Sequence, residues 1–344
     1  MKNKIAIASA FLAASSFSMG EIVVNDFLSF EGFVDSSYSH TDAEAEGVNE
    51  SENSFGIDQV EISWLFNFDA VTAQIDLEYE DGDDDNEDGV EQAFVNYALG
   101  NGDVVTAGRY ASMLGFEAYE PTGLYQYSTA YDIDGFDFAA NSEYVQGVKY
   151  TRTSDTTFFG ISLQDQAFGT DGDRLGGDTD SDLGQDSSFA VEVAGSIDLG
   201  NGFTVFAGAT FENANEDSEL YNAYVTYETG AWLFAAELNI GEGEQEAPGA
   251  DDIELTSGLL MANYAYSDVA SVTARVSAIE VEIGNNDLDI TKYTLAHNYA
   301  LSDNLLLVTE ISFADGDLNL SDDADADSFD GDVTSLAVEL LFTF

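Results

Sequence analysis

The chain is 344 residues long, has no cysteine, and sets 67 Asp and Glu against eight Lys and Arg, a net charge of −59 at pH 7. No disulfide framework or thiolate metal site is available to it, and nucleic-acid binding, which needs a basic surface, is excluded. The acidity implies a solvated, self-repelling surface of the kind that salt screens.

The first predicted element is a signal peptide over residues 1–20. Lys2 and Lys4 form a basic n-region, residues 5–14 form an apolar stretch too short to span a bilayer, and Ser18 and Gly20 place small residues at −3 and −1. The remaining domain, residues 21–344, is then exported. It holds no run of the roughly 20 apolar residues that a membrane helix needs. It is therefore either soluble outside the cytoplasm or a membrane barrel.

From there the pattern is alternation. Val71, Ala73, Ile75, Leu77 and Tyr79 interleave with Thr72, Gln74, Asp76, Glu78 and Glu80; Val191, Val193 and Ile197 interleave with Glu192, Ala194 and Asp198. A period of two gives one greasy face and one charged face. Sixteen strands are predicted: 27–38, 53–67, 70–80, 90–99, 103–111, 144–153, 156–165, 187–199, 203–212, 219–229, 231–241, 254–266, 270–282, 289–301, 304–314 and 332–344. Their connections are expected to alternate strictly between short and long. The short ones carry turn residues, as in Gly100-Asn101-Gly102 and Gly200-Asn201-Gly202, and the long ones are acidic. Pro121 and Pro248 both fall in long connections.

An even strand number with short turns at one end and long loops at the other describes an all-β, transmembrane antiparallel barrel of the bacterial outer membrane. The rival is a soluble β-sandwich or propeller. Strands of about 10 residues match a tilted crossing of the hydrocarbon. Aromatic residues also gather at two depths on the apolar face: Trp64, Trp232, Tyr97, Tyr227 and Tyr299 near the short turns, and Tyr38, Tyr79, Tyr110 and Tyr221 at the far ends. Two such girdles suit a bilayer. Finally, Leu336, Val338, Leu340, Phe342 and Phe344 alternate to the last residue. A last strand of this kind must pair with the first to leave no edge in lipid. Phe342 and Phe344 resemble the terminal signal read by the barrel-assembly machinery.

Four stretches, Gly32 to Tyr38, Val90 to Tyr97, Thr106 to Tyr110 and Ser112 to Glu117, resemble segments of the β-barrel porins of Gram-negative bacteria. The resemblance runs over essentially the whole mature chain. It implies diffusion of small hydrophilic solutes and homotrimers. It also implies that the longest connection, residues 112–143, folds inward as a constriction loop. That loop carries Phe116, Tyr119, Tyr125, Tyr127, Tyr131, Phe136 and Phe138, which is apolar for a solvated loop; a cap packed on its own side chains is the other reading.

Strand parity assigns Glu31, Asp35, Glu61, Asp76, Glu78, Glu192, Asp198, Glu237, Glu310 and Glu339 to the lumen, against Arg109, Lys149, Arg275 and Lys292. A carboxylate surplus in a confined channel favours cations. The resemblance implies that the basic residues face acids on the loop, for which Glu117, Glu120, Asp132, Asp134 and Asp137 are the candidates. Pairing with wall carboxylates is the alternative.

An outer-membrane barrel enzyme and a substrate-specific channel are competing functions. A lipase-type site needs a Ser/His pair. His40 lies in an acidic stretch expected to be a loop, and His297 falls on the lipid face beside Tyr299, as a girdle residue would. No catalytic residue and no cofactor is assigned. The acidic loops, such as residues 81–85 and 171–182, are expected to attract divalent cations diffusely, without a defined metal site.

Overall fold

The computed structural model describes residues 20–45, 48–80, 89–133, 136–137, 143–165, 167–168, 189–213, 217–244, 252–319 and 329–344. The signal-peptide segment lies outside them.

Sixteen antiparallel strands close into one barrel. They are β1 (Leu28–Ala45), β2 (Val48–Phe68), β3 (Val71–Glu80), β4 (Gly89–Gly100), β5 (Asp103–Ala111), β6 (Tyr144–Thr153), β7 (Thr157–Gln164) and β8 (Phe189–Gly200). The second half comprises β9 (Phe203–Asn213), β10 (Asp217–Thr229), β11 (Trp232–Gly243), β12 (Ile253–Ser267), β13 (Ala270–Ile283), β14 (Asn286–Ser302), β15 (Leu305–Asn319) and β16 (Phe329–Thr343). Each strand pairs with its neighbours in sequence, and β16 returns to β1 with Leu341 opposite Asp35. Closure is the only way a sheet in lipid satisfies its edge amides. A short extra strand not expected from the sequence, Ile22–Asn25, folds back on the start of β1 with Val23 opposite Ser29.

The turns form where the sequence offers left-handed backbone. Asn101 and Asn201 both have φ of 57°, flanked by glycines at positive φ. At Gly102 a Cβ would stand 1.9 Å from the Thr153 carbonyl oxygen, so only glycine fits. The greasy face is outside: Ile75, Leu77, Val95, Leu238, Leu295, Leu336 and Leu340 are all exposed on it. At its margins Trp232 stacks on Phe234 and Tyr264 at 5.5 and 4.4 Å between ring centres. Such rings suit the bilayer interface.

Two expectations fail. Connections do not alternate strictly between short and long: β1 and β2 continue pairing to Ala45 opposite Val48, and β13 and β14 to Ile283 opposite Asn286. Residues 39–45 and 48–52 therefore extend the two paired strands. The apolar alternation fades there because both faces of a sheet standing in water can be polar. His40 accordingly sits on β1, with Nε2 3.3 Å from Asp42.

The second failure is on β5. Tyr110, expected in the outer girdle, is buried inside, its hydroxyl 2.8 Å from Ser162 Oγ. Thr106 is buried on the same parity. Arg109, next in sequence, pairs opposite Ala93 and Gln146 and is half-buried, with its Nε shielded from solvent. The rule that aromatics on a barrel strand face lipid breaks where the interior is itself packed with protein.

Candidate functional site: a loop stapled across the lumen

The connection from β5 to β6 enters the barrel. Its described part contains a 3-10 turn, Pro121–Gly123, and a hairpin of Asp132–Ile133 with Phe136–Asp137. The side chains of Asp132 and Asp137, and the whole of Asp134, lie outside the described residues. Residue 135 and residues 138–142, with Phe138, lie outside them too, as does the side chain of Phe136; residues 112–131 can be followed bond by bond.

On one side wall carboxylates accept loop donors. Glu192 on β8 receives the Met113 amide at 2.9 Å and the Ser112 hydroxyl at 2.6 Å. Glu237 on β11 receives the Phe116 amide at 2.7 Å and the Tyr131 hydroxyl at 3.1 Å. Glu310 on β15 receives the amides of Tyr127 and Ser128 at 2.9 and 3.1 Å, and the Ser128 hydroxyl at 2.6 Å. On the other side wall donors reach loop carbonyls. Arg275 donates to the carbonyls of Ser128 and Thr129 at 2.9 and 2.8 Å. Lys292 donates to the Thr129 carbonyl at 3.2 Å and to Ser128 Oγ at 2.8 Å. Thr273 and Ser277 add bonds to the carbonyls of Tyr125 and Ala130.

An irregular segment has no ladder to satisfy its backbone, so a buried loop needs side-chain partners. Here the walls supply them. Hydrogen bonds to charged groups are each worth about 1.5–3 kcal/mol. Arg275 also meets the loop's own Glu117, Nη1 to Oε1 2.6 Å. Glu117 Oε2 in turn receives the Ala130 amide at 2.7 Å, closing the loop on itself.

Apolar packing does the rest. Leu114 is buried with Ala194, Phe206, Leu220 and Tyr224, and Phe116 packs against them. Phe116 meets Tyr224 edge-on at 5.7 Å, and Tyr224 stacks on Phe206 at 4.5 Å. Further on, Tyr127 lies against Phe33, Leu306, Val308 and Leu341, with its hydroxyl near Ser37 and Asp58 at 3.2 and 3.3 Å. These inward apolar residues were missed by reading the inner face as polar. Their signal was present: within residues 203–211 and 220–227 the inward parity carries Phe206, Leu220 and Tyr224 among its polar residues.

Of the residues assigned to the lumen, Asp35, Glu61, Asp76, Glu192, Glu237, Arg275, Lys292, Glu310 and Glu339 are buried inside the barrel. Glu31 and Glu78 are half-buried on the same face, and Asp198 shares the parity of Glu192 but stands exposed beside its turn. Lys149 lies 4.3 Å from the centre of the Tyr110 ring and donates to the Ala111 carbonyl at 3.0 Å. Arg109, next to Tyr110 in sequence, is half-buried.

The acids divide by position. Glu339 on β16, Glu31 and Asp35 on β1, Glu61 on β2, Asp76 and Glu78 on β3 and Glu91 on β4 occupy adjacent strands. They form one acidic sector. Arg275 and Lys292 sit on β13 and β14 beneath the loop. Gln59 donates to Glu78 and, at 3.2 Å, to Glu120. Burial pushes Glu120 up to about 7, with the Tyr144 hydroxyl bond working against the shift and the Glu78 charge adding to it.

The barrel-enzyme reading finds no support in these contacts. His297 Nε2 is 2.7 Å from the Tyr266 hydroxyl, and its ring stacks on Tyr266 and Tyr299. His40 faces Asp42. Neither has a serine as hydrogen-bond partner among the described residues.

Comparison with known proteins agrees with this architecture. The outer-membrane channel DcaP of Acinetobacter baumannii superposes with a TM-score of 0.66 at 13% identity, covering 92% of this chain and 97% of that one. OmpT of Vibrio cholerae gives 0.64 at 13% identity, over 94% and 100%. An anion-selective porin from Comamonas acidovorans gives 0.62 at 14% identity, over 92% and 99%. At such identities the likeness is one of fold. A search of curated proteins finds no sequence match. Residues 28–344 match the family model described as "Putative beta-barrel porin-2, OmpL-like". The chain belongs to this porin family, and it is a β-barrel porin of the bacterial outer membrane.

Proposed function

We propose that the protein is a passive diffusion channel for small hydrophilic solutes that prefers cations, with no catalytic role. The observation that carries the preference is the acidic sector of β16 and β1–β4. Its carboxylates lie inside the barrel, while Arg275 and Lys292 are spent on holding the loop. Summed charge in a confined, low-dielectric channel acts on permeating ions even where single exposed pairs count for little. The barrel's outer face would meet lipid, and Phe342 and Phe344 would be presented to the assembly machinery. The family resemblance supports a homotrimer.

The test is a reversal potential in a KCl gradient across a planar bilayer. K⁺ should be preferred over Cl⁻, and the preference should shrink as salt shortens the Debye length from about 10 Å at 0.1 M to about 3 Å at 1 M. Neutralising Asp76 and Glu78 together should reduce it. A channel preferring Cl⁻ would overturn the reading, and the Comamonas porin shows that this fold can accommodate that outcome.

A further inference from the structure

Glu61 on β2, Glu91 on β4 and Glu120 on the loop come from three separate segments, yet each places a carboxylate oxygen within 4.8 Å of the others. Glu61 and Glu91 are buried and Glu120 is half-buried. The nearest further charges acting on them are also acidic, Asp76 and Glu78. Among the described residues the ion pairs are His40–Asp42, Arg152–Asp103 and Arg275–Glu117, and none of these includes Glu61, Glu91 or Glu120.

Two details make this more than a crowd of acids. Glu91 sits at a bulge: Asp76 pairs with Gln92 and the next residue, Leu77, with Val90, so Glu91 is the extra residue of β4. A bulge re-aims a side chain, and this one delivers Glu91 to the interior. Its Oε2 atom is buried there without a hydrogen-bond partner, while the residue as a whole is only 7% exposed. A buried carboxylate oxygen left without a partner is costly. The Glu91 carboxylate is also hydrogen-bonded to Tyr144 and Glu120, so the unpartnered oxygen belongs to a side chain already held in the cluster.

We propose that Glu61, Glu91 and Glu120 bind a divalent cation of the calcium type, which ties the lumen loop to the wall at β2 and β4. Calcium takes six to eight oxygen ligands at about 2.3–2.6 Å in flexible geometry, whereas magnesium demands a near-ideal octahedron. Three carboxylates able to bind through one or both oxygens suit the larger ion. Glu120 is already oriented, since the Tyr144 hydroxyl donates to its Oε1 at 2.7 Å. The bound ion would complete the loop's attachment on the sector where no wall cation supports it.

Terbium, a luminescent calcium substitute, tests this on the full chain in detergent. Tyr144, hydrogen-bonded to a ligand, is placed to sensitise it. The parent protein should show a saturable tyrosine-sensitised signal that calcium competes away, with weaker, non-saturating binding to the acidic loops. Glu91→Gln and Glu120→Gln should each weaken the saturable component at least tenfold and leave the loop background. Heat-modifiable migration on gels checks that each variant is folded. Calcium should also raise the melting temperature of the parent and not of the variants. Should Glu91→Gln prove unable to fold, Glu120→Gln alone decides, because its residue lies on the loop. A saturable signal unchanged in both variants overturns the proposal. So does a parent whose melting temperature ignores calcium while Glu91→Gln raises it, since protons would then satisfy the cluster. No current is measured, so this outcome is independent of ion preference.

Discussion

Arg275 on β13 and Glu117 on the loop meet at 2.6 Å, the arginine side chain wholly shielded from solvent and the glutamate nine-tenths shielded. Arg275 also holds the loop carbonyls of Ser128 and Thr129. One side chain thus pairs with Glu117 and satisfies two loop carbonyls.

Removing one partner of a buried pair strands the other, at a cost of about 3–5 kcal/mol. Arg275→Ala should therefore release the loop more than Glu117→Gln, which leaves the backbone bonds standing. Single-channel recording should show larger, noisier conductance in Arg275→Ala, with a smaller change in Glu117→Gln. Equal conductance in a correctly folded Arg275→Ala variant would mean that the loop does not set the aperture.

Glu310 offers a second handle, because its two oxygens accept three donors from Tyr127 and Ser128. Glu310→Gln keeps the size but loses the charge that strengthens those bonds. The expected result is raised conductance with little change in reversal potential. The opposite pattern is expected for neutralising Asp76 and Glu78, whose partners Gln59, Gln74 and Gln92 are wall residues. Should Glu310→Gln alter selectivity as strongly as that pair, the division between acids bonded to the loop and acids bonded to the wall is wrong.

That division marks how far the sequence could be read. The barrel was legible because lipid and water impose opposite chemistry on alternate residues, as between Leu77 and Asp76, and because Gly-Asn-Gly turns punctuate the strands. The entry of the loop was legible from its slot and its tyrosines. What each inward carboxylate touches was not. Parity reports the side of a wall, so Glu237 and Asp76 look alike in sequence, although one anchors Phe116 and the other accepts from Gln74. Tyr110 was misplaced for the same reason: an aromatic residue on a barrel strand implies lipid only if nothing apolar fills the lumen.

The loop tyrosines predict an alkaline transition. Burial holds Tyr127 and Tyr131 above the ordinary range, reinforced by the charges of Asp58 for the first and Glu237 for the second. A group whose folded pKa is raised binds its proton more tightly in the native state. Its stabilising contribution is full below the unfolded value of about 10 and is lost as pH rises through the folded value. Absorbance titration at 295 nm should show two phases, with the loop pair ionising in the second, above the range of an ordinary phenol. Conductance should rise irreproducibly only with the second phase. A single phase near 10 covering every tyrosine would place the loop in water.

Closure of the barrel rests on Gly32 and Phe344. Their backbones exchange two hydrogen bonds, each 2.9 Å, so the last residue of the chain completes the seam. A Cβ at Gly32 would stand 2.3 Å from the Glu61 carbonyl oxygen and 2.9 Å from the Phe344 ring. The ring can turn, but the carbonyl belongs to the β1–β2 ladder and cannot yield without opening it. Gly32→Ala should thus reduce the heat-modifiable, membrane-inserted fraction several-fold. Phe344→Ala, which keeps the backbone bonds and loses the ring packing on Phe30 and Phe342, should reduce it less. Combining the two should not restore assembly, because the Glu61 contact remains. Rescue of Gly32→Ala by Phe344→Ala would instead identify the ring as the obstacle and leave the β1–β2 seam tolerant of a side chain.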